Sequence, residues 1–153
     1  MQLSTFTDYT LRTLVYLGLQ QGKLVTIASI AKAYEISENH LMKVVYRLGQ
    51  GGYVETVRGK GGGLRLTREA SSINIGDLIR QTEGNVSLLE CLDGESTCCI
   101  QSACKLQDIL REAQDAMYAV MCKYTLADLL RQNEPLALIF ISKNAMKKEL
   151  GHT

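Results

Sequence analysis

The chain has 153 residues with 46% apolar and 22% charged side chains and a formal net charge of +1. That suits one compact domain, or a small domain with a helical appendage, and excludes a disordered or strongly polyelectrolyte chain. No tract reaches the apolar length of a membrane span, and Met-Gln-Leu-Ser-Thr-Phe-Thr-Asp does not open a signal peptide. A reducing, cytoplasmic setting is therefore expected, in which thiols stay available to metal.

In chain order, Thr7 is expected to cap a first helix running to about Gln20, with Leu11, Leu14, Val15 and Leu19 on one face and Gly22 as its stop. Thr26 caps a short helix, Ile27 to Tyr34, and Glu35-Ile36 makes a tight turn. Ser37 then caps a third helix to about Gln50, with Leu41, Val44, Val45 and Leu48 facing inward. Helix, short turn and capped helix is the order of a helix-turn-helix. Two strand-like runs, Tyr53 to Val57 and Leu64 to Thr67, flank the tract Arg58-Gly59-Lys60-Gly61-Gly62-Gly63 and predict a β-hairpin, which beside a helix-turn-helix is a wing. Asn74 to Glu83 predicts a further helix stopped by Gly84.

Beyond the cysteine-bearing segment, Leu106, Leu110, Ala113, Met117, Val120 and Tyr124 recur at alternating spacings of four and three. A 3.5-residue repeat of this kind suits a helix lying along a partner helix, so a dimer is expected. Asn133-Glu134-Pro135 breaks the chain after Leu130, and the Lys-rich tail is expected to be disordered. The organisation read from this pattern is a winged helix-turn-helix domain over 1–84, a loop over 85–104, dimerisation helices over 105–132 and a tail over 133–153. The fold class is mainly α with one small β-hairpin.

Charge separates along the chain. Between Lys32 and Arg68 seven basic residues oppose three acidic ones, a balance of +4, whereas residues 91–153 hold seven basic and eight acidic, a balance of −1. The positive excess falls on the helix-turn-helix and wing, as a phosphate-binding surface requires. Ser37, Asn39, His40, Lys43 and Arg47 lie off the apolar face of the third helix and are the candidates to meet DNA; Arg58 and Lys60 are the wing's candidates for backbone or minor groove. The Gly-Lys of the wing is no phosphate loop, since no Ser or Thr follows Lys60.

Four of the five cysteines stand at Cys91, Cys98, Cys99 and Cys104. Zinc takes ligands in close pairs two to four residues apart, and no Cys-x-x-Cys occurs here. An iron–sulfur cluster tolerates wider spacing and is the preferred reading, with zinc and then a redox disulfide as alternatives. Cys122, in a helical segment, reads as a small buried hydrophobe. Histidine occurs only at His40 and His152, so no Ser-His or Cys-His pair suggests a hydrolase.

The stretches LSTFTDYTLRTLVYL (Leu3 to Leu17), ISENHLMKVVYRLGQGGYVETVRGKGGGLRL (Ile36 to Leu66), the cysteine loop and YTLADL (Tyr124 to Leu129) resemble the winged-helix iron–sulfur repressors. The likeness covers nearly the whole chain. Its specific part is the combination of an Arg-Gly-x-x-Gly-Gly wing with a three-cysteine loop. The resemblance implies one cluster per subunit of a homodimer, [4Fe–4S] in preference to [2Fe–2S], on Cys91, Cys98 and Cys104; Cys99 is the departure, and Cys98 is taken as the ligand of the tandem pair. It implies as fourth ligand Asp8, contributed by the partner subunit. Members that report cluster supply or iron status carry a histidine three residues after the last cysteine, where this chain has Gln107. The likeness is therefore to the nitric-oxide-sensitive branch, whose members leave an inverted-repeat operator when the cluster is nitrosylated and so control nitrosative-stress genes. A regulator of iron–sulfur supply and a thiol-redox or metal-binding protein are the alternatives.

Overall fold

The computed structural model describes residues 2–84, 88–92 and 97–131. Three helices open the chain: α1 (Thr5–Leu19), α2 (Ile27–Tyr34) and α3 (Glu38–Gln50). The strands β1 (Val54–Val57) and β2 (Gly63–Leu66) follow, then a single 3₁₀ turn at Ala70–Ser72 and α4 (Ile75–Glu83). Short 3₁₀ turns at Glu90–Leu92 and Gln101–Ala103 precede α5 (Lys105–Met121) and α6 (Leu126–Leu130). The expected tail over 133–153 lies outside the described residues.

The helix boundaries follow from capping. Thr26 and Ser37 each accept a hydrogen bond from the backbone N–H three residues on, from Ser29 at 3.1 Å and His40 at 3.4 Å. Glu35, left-handed at φ 59°, turns the chain between α2 and α3 in a single residue. Asn74 caps α4 through Asp77 N–H at 3.1 Å, and Gly84 ends it.

At the first helix the structure departs from the expected cap. Ser4 is the N-cap, its hydroxyl accepting from Thr7 N–H at 3.2 Å, and Thr7 is fully buried one turn inside. Thr7, Thr10 and Thr13 line the buried face with Leu14 and Leu17, while Leu11, Val15 and Leu19 are half-buried. Burying a hydroxyl is costly unless it is bonded. Thr10 and Thr13 donate to the carbonyls of Phe6 (2.8 Å) and Tyr9 (2.7 Å), and Thr7 donates to the Thr82 hydroxyl (2.8 Å). The inward face of α1 is thus partly polar but satisfied.

One continuous core joins both ends of the described chain. Leu14, Leu17, Ile30, Leu41, Val44 and Leu48 meet Ile73, Leu78 and Ile79 of the α4 region and Leu126 and Leu130 of α6. The α6 helix packs on α1, and its capping box holds Thr125 N–H to Asp128 Oδ2 at 2.7 Å. The start of α4 is tied to the α5–α6 connection: Ile75 N–H donates to Tyr124 carbonyl (3.0 Å), Leu126 N–H to Ile73 carbonyl (2.8 Å), and the Asn74 amide to Cys122 carbonyl (2.7 Å). Cys122 is half-buried rather than buried, and lies against Gly76.

The antiparallel hairpin pairs Val54 with Leu66 and Val57 with Gly63, and a bridge from Val25 to Leu64 holds it against the segment between α1 and α2. In contrast with this core, α5 contributes only Tyr118 as a buried side chain. Leu106, Ile109 and Val120 on α5 and Tyr124 just beyond it are each about half exposed. A stripe so apolar on a described surface so open is the part of the fold that a partner helix would cover.

Candidate nucleic-acid interface and cysteine loop

The exposed side of α3 follows from its buried side. Leu41, Val44, Val45 and Leu48 are held in the core, so at 100° per residue the row diametrically outward is Asn39, Lys43, Tyr46 and Gln50. Met42 and Arg47 flank that row on either side. All seven residues expected to meet DNA (Ser37, Asn39, His40, Lys43, Arg47, Arg58 and Lys60) are exposed. They are not equivalent. The Ser37 hydroxyl caps α3 and lies 3.1 Å from His40 Nδ1, and the His40 ring sits 6.0 Å from that of Tyr9, so this pair faces α1 beside the outward row.

The basic excess divides in the same way. Arg65 pairs with Glu55 across the hairpin, and Arg68 lies 4.7 Å over the Tyr53 ring and donates to Gly51 carbonyl at 2.9 Å. These two arginines are engaged within the wing. Among the described residues, Lys43, Arg47, Arg58 and Lys60 form no ion pair, which leaves their charge directed outward from α3 and the hairpin tip. Gly59 and Gly61 take positive φ of 99° and 81°, a backbone that side chains resist, and so turn the tip tightly around Lys60.

Met42, Tyr46 and Gln50 were not among the candidates read from the sequence, which were Ser37, Asn39, His40, Lys43 and Arg47 on this helix. Tyr46 is 66% exposed and Met42 50%; the Gln50 amide donates to the Tyr46 hydroxyl at 3.0 Å. The spacing Asn39–Lys43–Tyr46–Gln50 was the available signal.

The cysteine segment is anchored at both ends. Cys91, half-buried in the first 3₁₀ turn, has its carbonyl held by the Gln107 amide at 2.7 Å and the Gln101 amide at 3.3 Å. Cys104, also half-buried, begins α5, and its carbonyl accepts from Gln107 N–H at 3.2 Å. Gln107 thus clasps the two ends of the loop, a task that its amide donors and backbone allow. Cys98 and Cys99 stand exposed between them. Among the described residues no three His, Cys, Asp or Glu side chains converge on one point, and residues 93–96 of the loop lie outside that set. The donor chemistry nevertheless fits a thiophilic iron group: soft sulfur ligands on an anchored yet open loop. Asp8 lies in the first turn of α1, half exposed, and pairs with Arg12 at 2.9 Å. Arg12 in turn lies 5.7 Å over the Tyr34 ring, whose hydroxyl burial pushes up to about 12.

A capped helix-turn-helix with Lys43 and Arg47 on its exposed side, joined to a hairpin whose tip is basic, defines a winged helix-turn-helix regulator. Comparison with known proteins gives the class its family. The model of the Rrf2 family, described as an iron-dependent transcriptional regulator, matches residues 3–132, and the chain belongs to that family. The HTH-type transcriptional regulator NsrR of Bacillus subtilis (strain 168) is 49% identical over 138 residues, spanning 89% of this chain and 94% of that protein. Among solved structures, oxidised CymR of Staphylococcus aureus superposes with a TM-score of 0.68 at 31% identity, over 86% of this chain and 97% of that one. IscR of T. potens superposes with a TM-score of 0.67 at 27% identity, over 86% and 87%. The chain is therefore a DNA-binding transcriptional regulator of the NsrR kind, not an enzyme.

Proposed function

We propose that the protein is a homodimeric repressor that senses nitric oxide through an iron–sulfur cluster and leaves its operator in response. The observation that carries this reading is the pairing, in one Rrf2 chain, of an outward cationic α3 and wing with a three-cysteine loop clasped by Gln107. The similarity to NsrR over most of both chains supports the nature of the signal.

Cys91, Cys98 and Cys104 hold the cluster, with Asp8 of the partner subunit as fourth ligand; [4Fe–4S] is preferred to [2Fe–2S]. Bound there, the group supplies iron to which nitric oxide adds. Asp8 would link the loop of one subunit to the reading head of the other, because it sits on α1, whose buried face packs directly on α3. Losing the Asp8 tie would return it to Arg12 and bias the dimer away from the DNA-competent arrangement. A coupling of about 1–3 kcal/mol gives a 5- to 150-fold change in operator affinity.

The recognition helices enter successive major grooves of an inverted repeat, with Asn39 at base edges and Lys43 and Arg47 at bases or phosphates; Ser37 and His40 lie at the N-terminal edge of that contact. Arg58 and Lys60 reach the flanking minor grooves. The exposed α5 stripe forms the dimer seam. The organisation is a reading head over 1–84, a cluster loop over 85–104 and dimer helices over 105–132, and the protein works in the cytoplasm.

The test is anaerobic purification with a visible spectrum before and after stoichiometric nitric oxide, the same samples being used for operator gel shifts. A brown protein whose charge-transfer bands collapse as DNA binding is lost supports the reading. A colourless zinc protein, or DNA binding indifferent to nitric oxide, overturns it. Asp8→Ala should blunt the response; an unchanged response and unchanged cluster-dependent binding would refute the Asp8 route.

A further inference from the structure

Between the N-terminal turns of α1 and the outward face of α3 runs a shallow groove of about 460 Å³, lined by Phe6, Met42, Lys43, Tyr46 and Arg47. Its surface is mostly apolar, and its two charged side chains are both cations. Met42 and Tyr46, four residues apart, lie on the same side of the helix and are 50% and 66% exposed. Apolar side chains this open on a regulator's reading helix need an occupant, and two flanking positive charges select a polyanion that also carries small apolar groups. DNA meets that description in the major groove, where thymine alone presents a methyl group at the base edge.

We infer that Met42 and Tyr46 are specificity residues that pack on thymine C5-methyl groups of the operator. The inference rests on the DNA-binding reading and adds to it a base identity. Tyr46 is suited to this because it lies on the outermost row with Asn39 and Lys43, lines the groove, and has its hydroxyl held by the Gln50 amide, which donates to it at 3.0 Å. Met42 is one residue from Lys43 and one turn nearer the N-terminus of α3, the end that approaches base edges in helix-turn-helix complexes. Its flexible thioether adapts to an irregular apolar surface. Lys43 and Arg47, on the groove walls, would hold the strand whose bases are read.

The experiment is a thymine-to-uracil scan of a duplex selected from random DNA by the wild-type protein. Uracil keeps the Watson–Crick and groove hydrogen-bond pattern and lacks only the methyl. For the wild type, uracil at one or more positions of each half-site should weaken binding about fourfold, the worth of one buried methyl-sized group. Met42→Ala or Tyr46→Ala should abolish that penalty at its own thymine and leave the slope of affinity against salt unchanged, while Tyr46→Phe keeps the penalty. Both side chains are exposed, so the truncations leave the core intact. Equal losses on thymine and uracil duplexes, with no coupled position, would overturn the inference in favour of a sugar–phosphate contact. Variants that bind DNA normally but sediment as a weakened dimer would overturn it in favour of a groove covered by a second copy. A wild type that selects no duplex would overturn the DNA-binding reading itself, and this inference with it.

Discussion

Gly76 lies in the first turn of α4, where that helix crosses the end of α5, and the contact admits no side chain. A Cβ at this position would stand 2.3 Å from Cys122 Sγ, 2.7 Å from Cys122 N and 3.0 Å from its Cα. Carbon atoms in contact prefer about 3.5–4.0 Å. The sulfur can swing aside, but the backbone atoms can yield only if the two elements part. Three hydrogen bonds oppose that parting: Asn74 to Cys122 at 2.7 Å, Ile75 to Tyr124 at 3.0 Å and Leu126 to Ile73 at 2.8 Å. In an open helix, Gly→Ala gains up to about 1 kcal/mol from propensity. Overpacking a tight contact costs about 1–3 kcal/mol, and each strained hydrogen bond adds about 0.5–1.5 kcal/mol. The net expectation for Gly76→Ala is a loss of about 2 kcal/mol, which lowers Tm by roughly 4–8 °C in a chain of this size. Gly49 supplies the control. It is exposed in α3, and its added Cβ would meet only Val54 carbonyl at 3.8 Å. Gly49→Ala should therefore raise stability by about 0.5–1 kcal/mol. Thermal melts and urea titrations of the three proteins decide the matter. A Gly76→Ala protein as stable as the wild type, or more so, would show that the α4–α5 contact is looser than described and would refute the reasoning.

Two further predictions concern the reading head. Burial pushes Glu83 up, but hydrogen bonds from the backbone N–H and the hydroxyl of Ser4, at 2.8 and 2.9 Å, outweigh it and hold the carboxyl below the usual range. Because its folded pKa is depressed, its contribution is complete above the ordinary glutamate range and is lost as pH falls through its own lower value. Glu83→Gln should thus lower the urea midpoint at pH 7 and converge with the wild type in acid; equal gaps at pH 7 and pH 3 would exclude the charge as the cause. Lys43 carries no ion pair among the described residues, so Lys43→Ala should weaken binding to all duplexes alike and reduce the salt slope of affinity by about one. A change in preference among sequences with an unaltered slope would instead place Lys43 on a base.

Short-range chemistry was legible in the sequence. Thr26 and Ser37 cap the helices they precede, because an Ncap oxygen needs only the N–H two or three residues on; Asn74, read as the first residue of its helix, caps it instead. The hairpin with its glycine tip and the inward face of α3 likewise followed from period and turn residues, whereas on α5 the expected stripe is open only in part: Leu106, Val120 and Tyr124 are exposed, Met117 packs against the core, and Ile109, outside the stripe, is open. The five candidates on α3 and its cap are exposed because residues off the apolar face of a helix must face outward, and Arg58 and Lys60 are exposed in the hairpin tip.

Where competing local signals existed, only packing chose between them. Ser4 and Thr7 are both good caps; Ser4 caps α1 because Thr7 is drawn into the core, where Thr82 accepts its hydroxyl proton 75 positions away. Gly76 resembles any helix-weakening glycine until Cys122 is placed against it, and Gln107 resembles any surface amide until Cys91 carbonyl comes within 2.7 Å. Met42 and Tyr46 are apolar by composition and open by position, a contrast visible only once α1, α2 and the wing have claimed the other sides of α3. The sequence alone thus determined which segments become helix, hairpin and cysteine loop, since capping, periodicity and turn chemistry act over a few residues. The tertiary structure decided which surfaces are left open and which side chains are committed, because that depends on contacts between residues tens of positions apart.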